Sequence, residues 1–213
     1  MRISYIPLVM VLWVVACGHA PSRYPGAGGN NLDPDKYVGE QCVNLSGRYE
    51  GRGEIIDGDS GALQVSPLWR LDNVFPFANS QQSAALSMAA ERDDGRLVYP
   101  SEGVVTRESD RRFRITFLYP NGKSGTFTSS FEDAKKYICT GMQGKIVWGG
   151  GGLESRSEFG PNRSDYTISL QLDGDGNLIL ERQMQVHMSL RLGLIPVGTV
   201  QHYAAYRFRR LQR

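Results

Sequence analysis

Arg112-Phe113-Arg114-Ile115-Thr116-Phe117-Leu118-Tyr119-Pro120-Asn121-Gly122-Lys123, followed by Ser124-Gly125-Thr126-Phe127-Thr128, is the stretch on which the fold turns. Phe113, Ile115, Phe117 and Tyr119 alternate with Arg112, Arg114 and Thr116. That period of two belongs to a strand with one face buried and one in water. Asn121-Gly122 between two such runs is a tight-turn signal, because both residues tolerate the positive φ that hairpin turns require. The segment reads as an antiparallel hairpin, and the same grammar recurs on either side of it.

Toward the C-terminus, Tyr166 to Leu172 and Leu178 to Val186 flank Asp173-Gly174-Asp175-Gly176-Asn177, a second hairpin. Val200, His202, Ala204, Tyr206 and Phe208 then alternate with Gln201, Tyr203, Arg207 and Arg209 in a closing strand. Toward the N-terminus, Leu45, Gly47, Tyr49, Gly51, Gly53 and Ile55 alternate with Ser46, Arg48, Glu50, Arg52 and Glu54, a half-buried strand whose glycines mark bending or close backbone approach. Ser83 to Glu91 is alanine-rich and has helix-forming residues. Asp93-Asp94-Gly95 after it imitates the later turn, so a third hairpin, Ala84 to Ala90 with Arg96 to Tyr99, is the preferred reading over a short helix. Phe131 to Tyr137 has the composition of one or two helical turns, and Gly144 to Trp148 of a strand entering a loop or bend at Gly149 to Gly152. The expectation is an all-β domain over residues 42–213: a single antiparallel barrel or strongly curved sandwich of roughly eight to ten strands.

Composition agrees, with 25 glycines and 10 prolines punctuating the chain. The 24 basic and 22 acidic side chains leave a net charge of +2, too near balance to argue for a nucleic-acid partner.

The first residues have a different logic. After Met1-Arg2 the chain runs through Ile6-Pro7-Leu8-Val9-Met10-Val11-Leu12-Trp13-Val14-Val15 to Ala16-Cys17 with no further charge. A positive start, an apolar run of roughly 7 to 15 residues and a small residue at the cut make a secretory signal over residues 1–16. The run is shorter than the ~20 residues of a membrane span. Val14-Val15-Ala16-Cys17 resembles the lipobox of bacterial lipoproteins, which implies cleavage before Cys17, acyl chains on that cysteine and a stable membrane anchor. Gly18, where inner-membrane retention favours Asp in that family, implies the outer membrane, with the body in the periplasm. Residues 17–41, rich in Gly, Pro and Asn, read as a lipidated N-terminus and flexible linker.

Lipid on Cys17 leaves Cys42 and Cys139. In an oxidising compartment these form a disulfide or remain two buried thiols, with the disulfide preferred. His19, His187 and His202 match no metal-ligand spacing. Asp173 to Asn177 suggests a calcium loop, but Leu178 and Met184 stand where such a loop needs Gly and Glu. Gly-x-Ser-x-Gly, Ser-x-x-Lys and His-Glu-x-x-His do not occur, so the chain reads as a non-enzyme with no cofactor and no metal. Trp69, Phe75 and Phe77 lie among prolines in the segment 67–77, either a contact loop or a loop folded under the body. His202, on the apolar side of its strand, is the candidate contact histidine, while His187 falls on the polar side of its own.

Gly47-Arg48-Tyr49, with Arg207 or Arg209 on the last strand, resembles the lipocalin and calycin arrangement, in which Gly-x-aromatic on strand one packs under a basic residue of the final strand. Tyr49 stands where that family has tryptophan. The resemblance implies a barrel whose interior holds an apolar small molecule or lipid. The other reading is an envelope protein-interaction or assembly module that uses strand edges and the 67–77 loop.

Overall fold

The structure is a computed structural model, and it describes residues 33–58, 67–77, 79–92, 94–134, 136–157, 160–190 and 195–212. The signal segment and Cys17 lie outside the described residues.

Ten strands are described: β1 (Gly47–Glu50), β2 (Glu54–Gly58), β3 (Glu102–Ser109), β4 (Arg112–Leu118), β5 (Ser124–Ser130), β6 (Tyr137–Cys139), β7 (Lys145–Ser157), β8 (Gly160–Leu172), β9 (Leu178–Leu190) and β10 (Ile195–Phe208). They form two antiparallel sheets, a small one ordered β1-β3-β4-β5 and a large one ordered β2-β10-β9-β8-β7-β6. The sheets meet along one seam. Just past β10, Glu50 N–H donates to the Arg209 carbonyl at 2.9 Å and Leu211 N–H to the Arg48 carbonyl at 2.8 Å. At the far side β5 and β6 do not pair, so the architecture is a sandwich and the single closed barrel is not formed.

The opening hairpin forms as its alternation dictates. Phe113, Ile115 and Phe117 are sealed while Arg112, Arg114 and Leu118 are exposed. Each sealed side chain contributes about 1.5–3 kcal/mol by leaving water. Across from them, Ile146, Trp148, Leu170, Leu178, Leu180, Ala204, Tyr206 and Phe208 supply the inner face of the large sheet. Phe131 bridges the two, 5.9 Å from the Phe113 ring, 5.2 Å from Tyr137 and 6.0 Å from Trp148.

Ser80–Ala90 is a helix, α1, which corrects the preferred strand reading of 84–90 and the third hairpin built on it. The Asn79 side chain accepts from Gln82 N–H at 3.0 Å, and Ala, Leu, Met and Gln favour the helix intrinsically. Its C-terminal carbonyls are met by the hairpin tip: Asn121 Nδ2 donates to those of Ala89 and Glu91 at 3.0 Å, and Lys123 Nζ to that of Glu91 at 2.9 Å. Leu86 packs over Gly125, where a Cβ would lie 2.6 Å from the Leu86 methyl. Of the proposed hairpin only one bridge, Glu91 with Leu97, survives.

One further expectation changes: Gly149 to Gly152 continue as regular β7 instead of a loop. Phe131 to Tyr137 hold a single helical turn, closed by Lys136 N–H and Tyr137 N–H on the Asp133 carbonyl at 3.0 and 2.8 Å. Cys42 and Cys139 are disulfide-bonded, with Cα atoms 4.6 Å apart. The bond ties the chain ahead of β1 to β6, on the side opposite the seam.

Candidate functional site

The strands β7 to β10 have 13 or 14 residues each, against 4 to 8 in the small sheet. Core residues of the large sheet cluster at one end of these strands, so the other end reaches past the small sheet. Cross-strand register sorts the side chains of the long sheet into rows. On the face turned away from the core, Thr199 stands opposite His187; Gln201 opposite Gln185, Asp165 and Gly151; Tyr203 opposite Gln183, Thr167 and Gly149; and Ala205 opposite Glu181, Ser169 and Val147. Ten of these fourteen positions carry a side chain that can hydrogen-bond, as the outer face of an antiparallel sheet should.

The burial is not that of an outer face. Asp165, Thr167, Ser169 and Gln185 are all buried, Gln185 with 3% exposure. In the Gln201 row burial is greatest at Gln185 and Asp165 and falls off to the exposed Gly151 and Gln201, whereas in the Ala205 row Ala205 and Val147 are themselves buried. The Thr199 and Gln201 rows thus form a polar trough, enclosed at Gln185 and Asp165 and open at its rims.

Its groups are ordered by their partners. His187 Nε2 lies 3.3 Å from Asp165 Oδ2, and His187 Nδ1 lies 3.1 Å from Thr199 Oγ1. The first is an ion-pair distance, and the second a hydrogen bond whose direction depends on the imidazole tautomer. Farther along the same face, Glu181 accepts from Ser169 Oγ at 3.0 Å and Lys145 Nζ at 3.2 Å. Burial pushes the Tyr203 hydroxyl above its ordinary pKa, and Glu181 and Asp57 push it further. At the sheet edge, hydrogen bonds from Arg209 and Arg207 hold the Glu54 carboxyl below the usual range. The glycines of β7 make room: a Cβ on Gly151 would lie 2.3 Å from Asp165 Oδ1, and one on Gly150 would lie 3.0 Å from the Tyr166 hydroxyl on the other face. Gln185 Oε1 is buried and has no partner among the described residues.

The residues singled out from sequence fall elsewhere. Trp69 is half-buried, edge-on to Tyr99 at 5.4 Å with the Arg52 guanidinium 5.7 Å above it. Phe75 is sealed, and Phe77 packs on Phe127 at 4.8 Å. The loop carrying them is pinned by Asp72, which takes two bonds from Arg70, at 2.9 and 2.7 Å, and one from the Tyr119 hydroxyl at 3.1 Å. His202 lies opposite Met184, half-buried, on the face of β10 that does not carry the trough. Arg207 and Arg209 both pair with Glu54, and the basic residue bridged to Tyr49 is Arg210. Tyr49 Oη donates to the Leu45 carbonyl at 2.9 Å, its ring occupying the space left by Gly47. The oxygens of Asp173 are used by its own turn, accepting from Asp175 N–H, Asn177 N–H and Asn177 Nδ2. A separate open cleft of about 530 Å³ is lined by Arg92, Asp94, Val98, Pro120, Asn121 and Lys123, and its Asn121 and Lys123 donors are spent on the end of α1.

Sequence reasoning missed the trough. The signal available was the density of Gln, Thr and Tyr on the outward positions of β8, β9 and β10, where a plain solvated face carries more Lys and Glu. No family model matches the chain, and no curated protein and no solved structure matches it.

Proposed function

We propose that the chain is a lipid-anchored, non-catalytic binding protein of the bacterial outer membrane, its body in the periplasm, with the polar trough as its recognition surface. The observation that carries this reading is the row of buried polar side chains on a sheet face pointing away from a filled core. Between the sheets the space is occupied by Tyr49, Phe113, Phe117, Phe131, Tyr206 and Phe208, all sealed, which favours recognition on the outside over an apolar ligand within. Thr199 sits on a regular strand and not at a strained turn, so the Asp165, His187 and Thr199 line is read as an ordered set of binding groups. The anchor rests on Val14-Val15-Ala16-Cys17.

Two experiments test this reading. Cys17→Ser is expected to release the protein from the membrane fraction, and retention there would refute the anchor. A photo-crosslinking residue at Gln201, on the rim, is expected to capture a discrete envelope component that the same residue at the fully exposed Met142 does not. Equal capture at both positions would refute the trough as the working surface.

A second reading has its own observation. β2 is an edge strand of the large sheet with Ile55 and Ile56 exposed, a geometry suited to strand addition by an envelope protein.

A further inference from the structure

We infer that the body stands on the bilayer that holds its own lipid anchor, seated through Val38 and Met142 at the tips of two adjoining turns, with the trough held away from the membrane. The inference rests on the reading of Cys17 as the anchor and adds the surface of the body that meets the lipid.

Each contact residue is presented by a closed turn. Tyr37-Val38-Gly39-Glu40 is closed by Glu40 N–H on the Tyr37 carbonyl at 3.1 Å, with Gly39 at φ +90°. Gly141-Met142-Gln143-Gly144, between β6 and β7, is closed by Gly144 N–H on the Gly141 carbonyl at 2.9 Å. Below it Thr140 N–H donates to the Lys145 carbonyl at 2.9 Å and Lys145 N–H to Thr140 Oγ1 at 3.0 Å. The turns adjoin, because Pro34–Tyr37 lies against β6 and the Glu40 carboxylate fills the place beside Gly141 that a Cβ would take. The Cys42–Cys139 bond and the bond from Arg111 Nη2 to the Glu40 carbonyl at 2.9 Å hold the two stretches together. Turn tips ordinarily carry Asn, Asp, Ser, Gly or Pro. These carry Met142 and Val38, the two most exposed large apolar side chains among the described residues.

The tether identifies what covers them. Asp33, the first described residue, follows Cys17 by 16 positions. A glycine-rich linker of that length has an r.m.s. span of about 22 Å and reaches about 55 Å at most. Two side chains of this size would not hold a free protein on a membrane, but lipid on Cys17 makes their contact intramolecular, at an effective concentration in the millimolar range. Methionine adapts to an irregular apolar surface. Asp33, Asp35 and Glu40 on the entering segment are offset by Lys36, Arg111 and Lys136 beside it, so the contact is apolar and needs no anionic lipid. Met88 and Leu97, the next most exposed, belong with α1 and the hairpin tip, at the other end of β4 from Arg111. β7 starts at Lys145 beside the seated turn, and Gly151, in the Gln201 row, stands six residues along it, about 20 Å at the rise of a strand. Seating the turns on lipid therefore lifts the trough off the bilayer.

The lipidated protein is reconstituted in phosphatidylcholine vesicles with and without dibrominated acyl chains, which quench tryptophan within the bilayer. Met142→Trp, Val38→Trp and, as control, Leu97→Trp each add one emitter to the constant background of Trp69 and Trp148. Bromolipid is expected to lower the added emission at 142 and 38 at least about twofold, as for groups at the acyl boundary, and to leave that at 97 unchanged. The quenching should persist in about 1 M salt, where the Debye length is about 3 Å. With both turns unaltered, the amides of residues 38–40 and 141–143 are expected to exchange more slowly on vesicles than in Cys17→Ser in solution.

Vesicle-bound protein that is quenched at neither turn, or equally at 97, or whose turn amides exchange as fast as in solution, overturns the inference and leaves the anchor standing. Quenching that salt abolishes also overturns it, since the contact would then be electrostatic. Protein that carries no acyl chain and does not float with the vesicles refutes the anchor and this inference together.

Discussion

Replacing both Cys42 and Cys139 by alanine removes a covalent tie across 97 residues, and the cost follows from the entropy of the chain it frees. Closing a loop of about 100 residues in the unfolded ensemble corresponds to about 4.7 kcal/mol on the chain-entropy model. For a domain of 150–250 residues each kcal/mol moves the melting temperature by about 2–4 °C, so the double variant is expected to melt about 10–20 °C lower. The loss should begin locally. The bond holds the stretch ahead of β1 to β6, at the side where the sheets share no hydrogen bonds, so the amides of Tyr137 to Cys139 should exchange with solvent first. Thermal unfolding followed by circular dichroism, with hydrogen exchange on the same samples, reads both effects. Wild type treated with reductant should fall to the level of the double variant. A double variant melting within about 3 °C of the oxidised wild type would refute the reasoning, since it would mean that the tie constrains almost nothing.

Other perturbations probe the remaining parts of the account. Asp72→Ala leaves the half-buried Arg70 guanidinium with only the Val98 carbonyl and removes the acceptor of the buried Tyr119 hydroxyl, and should cost about 2–3 kcal/mol in urea unfolding; a cost under about 1 kcal/mol would show that the 67–77 loop is not pinned there. The Tyr49 hydroxyl is pushed up to about 12 by burial, against which Arg210 acts weakly. Its folded value lies above the unfolded one, so its contribution is complete below about pH 10 and is lost as pH rises toward 12, up to about 2.7 kcal/mol in all. Tyr49→Phe should shrink that alkaline loss, leaving the part due to Tyr119 and Tyr203, which burial and neighbouring carboxylates also raise, while costing about 1 kcal/mol at neutral pH for the bond to Leu45. Gly51→Ala would place a methyl group 1.8 Å from the Pro100 carbonyl, beside the bond from Gly51 N–H to Ser101, and should lower stability by about 3 kcal/mol or prevent folding.

What could be read from sequence was whatever leaves a two-residue period or a turn chemistry behind it. The Arg112 to Thr128 hairpin shows both, and the Asp173 turn shows the second, with Asn177 and Asp175 donating back to the Asp173 carboxylate. α1 left a weak trace, because only Leu86 and Ala90 are buried on it and the rest is alanine, serine, glutamine and the exposed Met88. The Asp-Asp-Gly turn that follows it imitates a hairpin and pointed the other way. Gly149 to Gly152 carry no side chains to alternate, so their place in β7 is set by the partner strand, whose Asp165 and Tyr166 occupy the space the glycines leave. The segment with Trp69, Phe75 and Phe77 had the composition of a contact loop or of one folded under the body; the bonds of Arg70 and Asp72 with residues far along the chain fold it inward. The trough was invisible for a related reason. Outward polar positions look alike in sequence, and only register brings Asp165, His187 and Thr199, from three strands, into one line.

Native mass spectrometry of the membrane-extracted protein tests most directly whether recognition lies on the surface and not between the sheets. The account predicts the mass of the cleaved polypeptide with its acyl chains on Cys17 and no other apolar molecule retained. A lipid or other apolar compound held noncovalently, surviving transfer at a fixed stoichiometry, would contradict it.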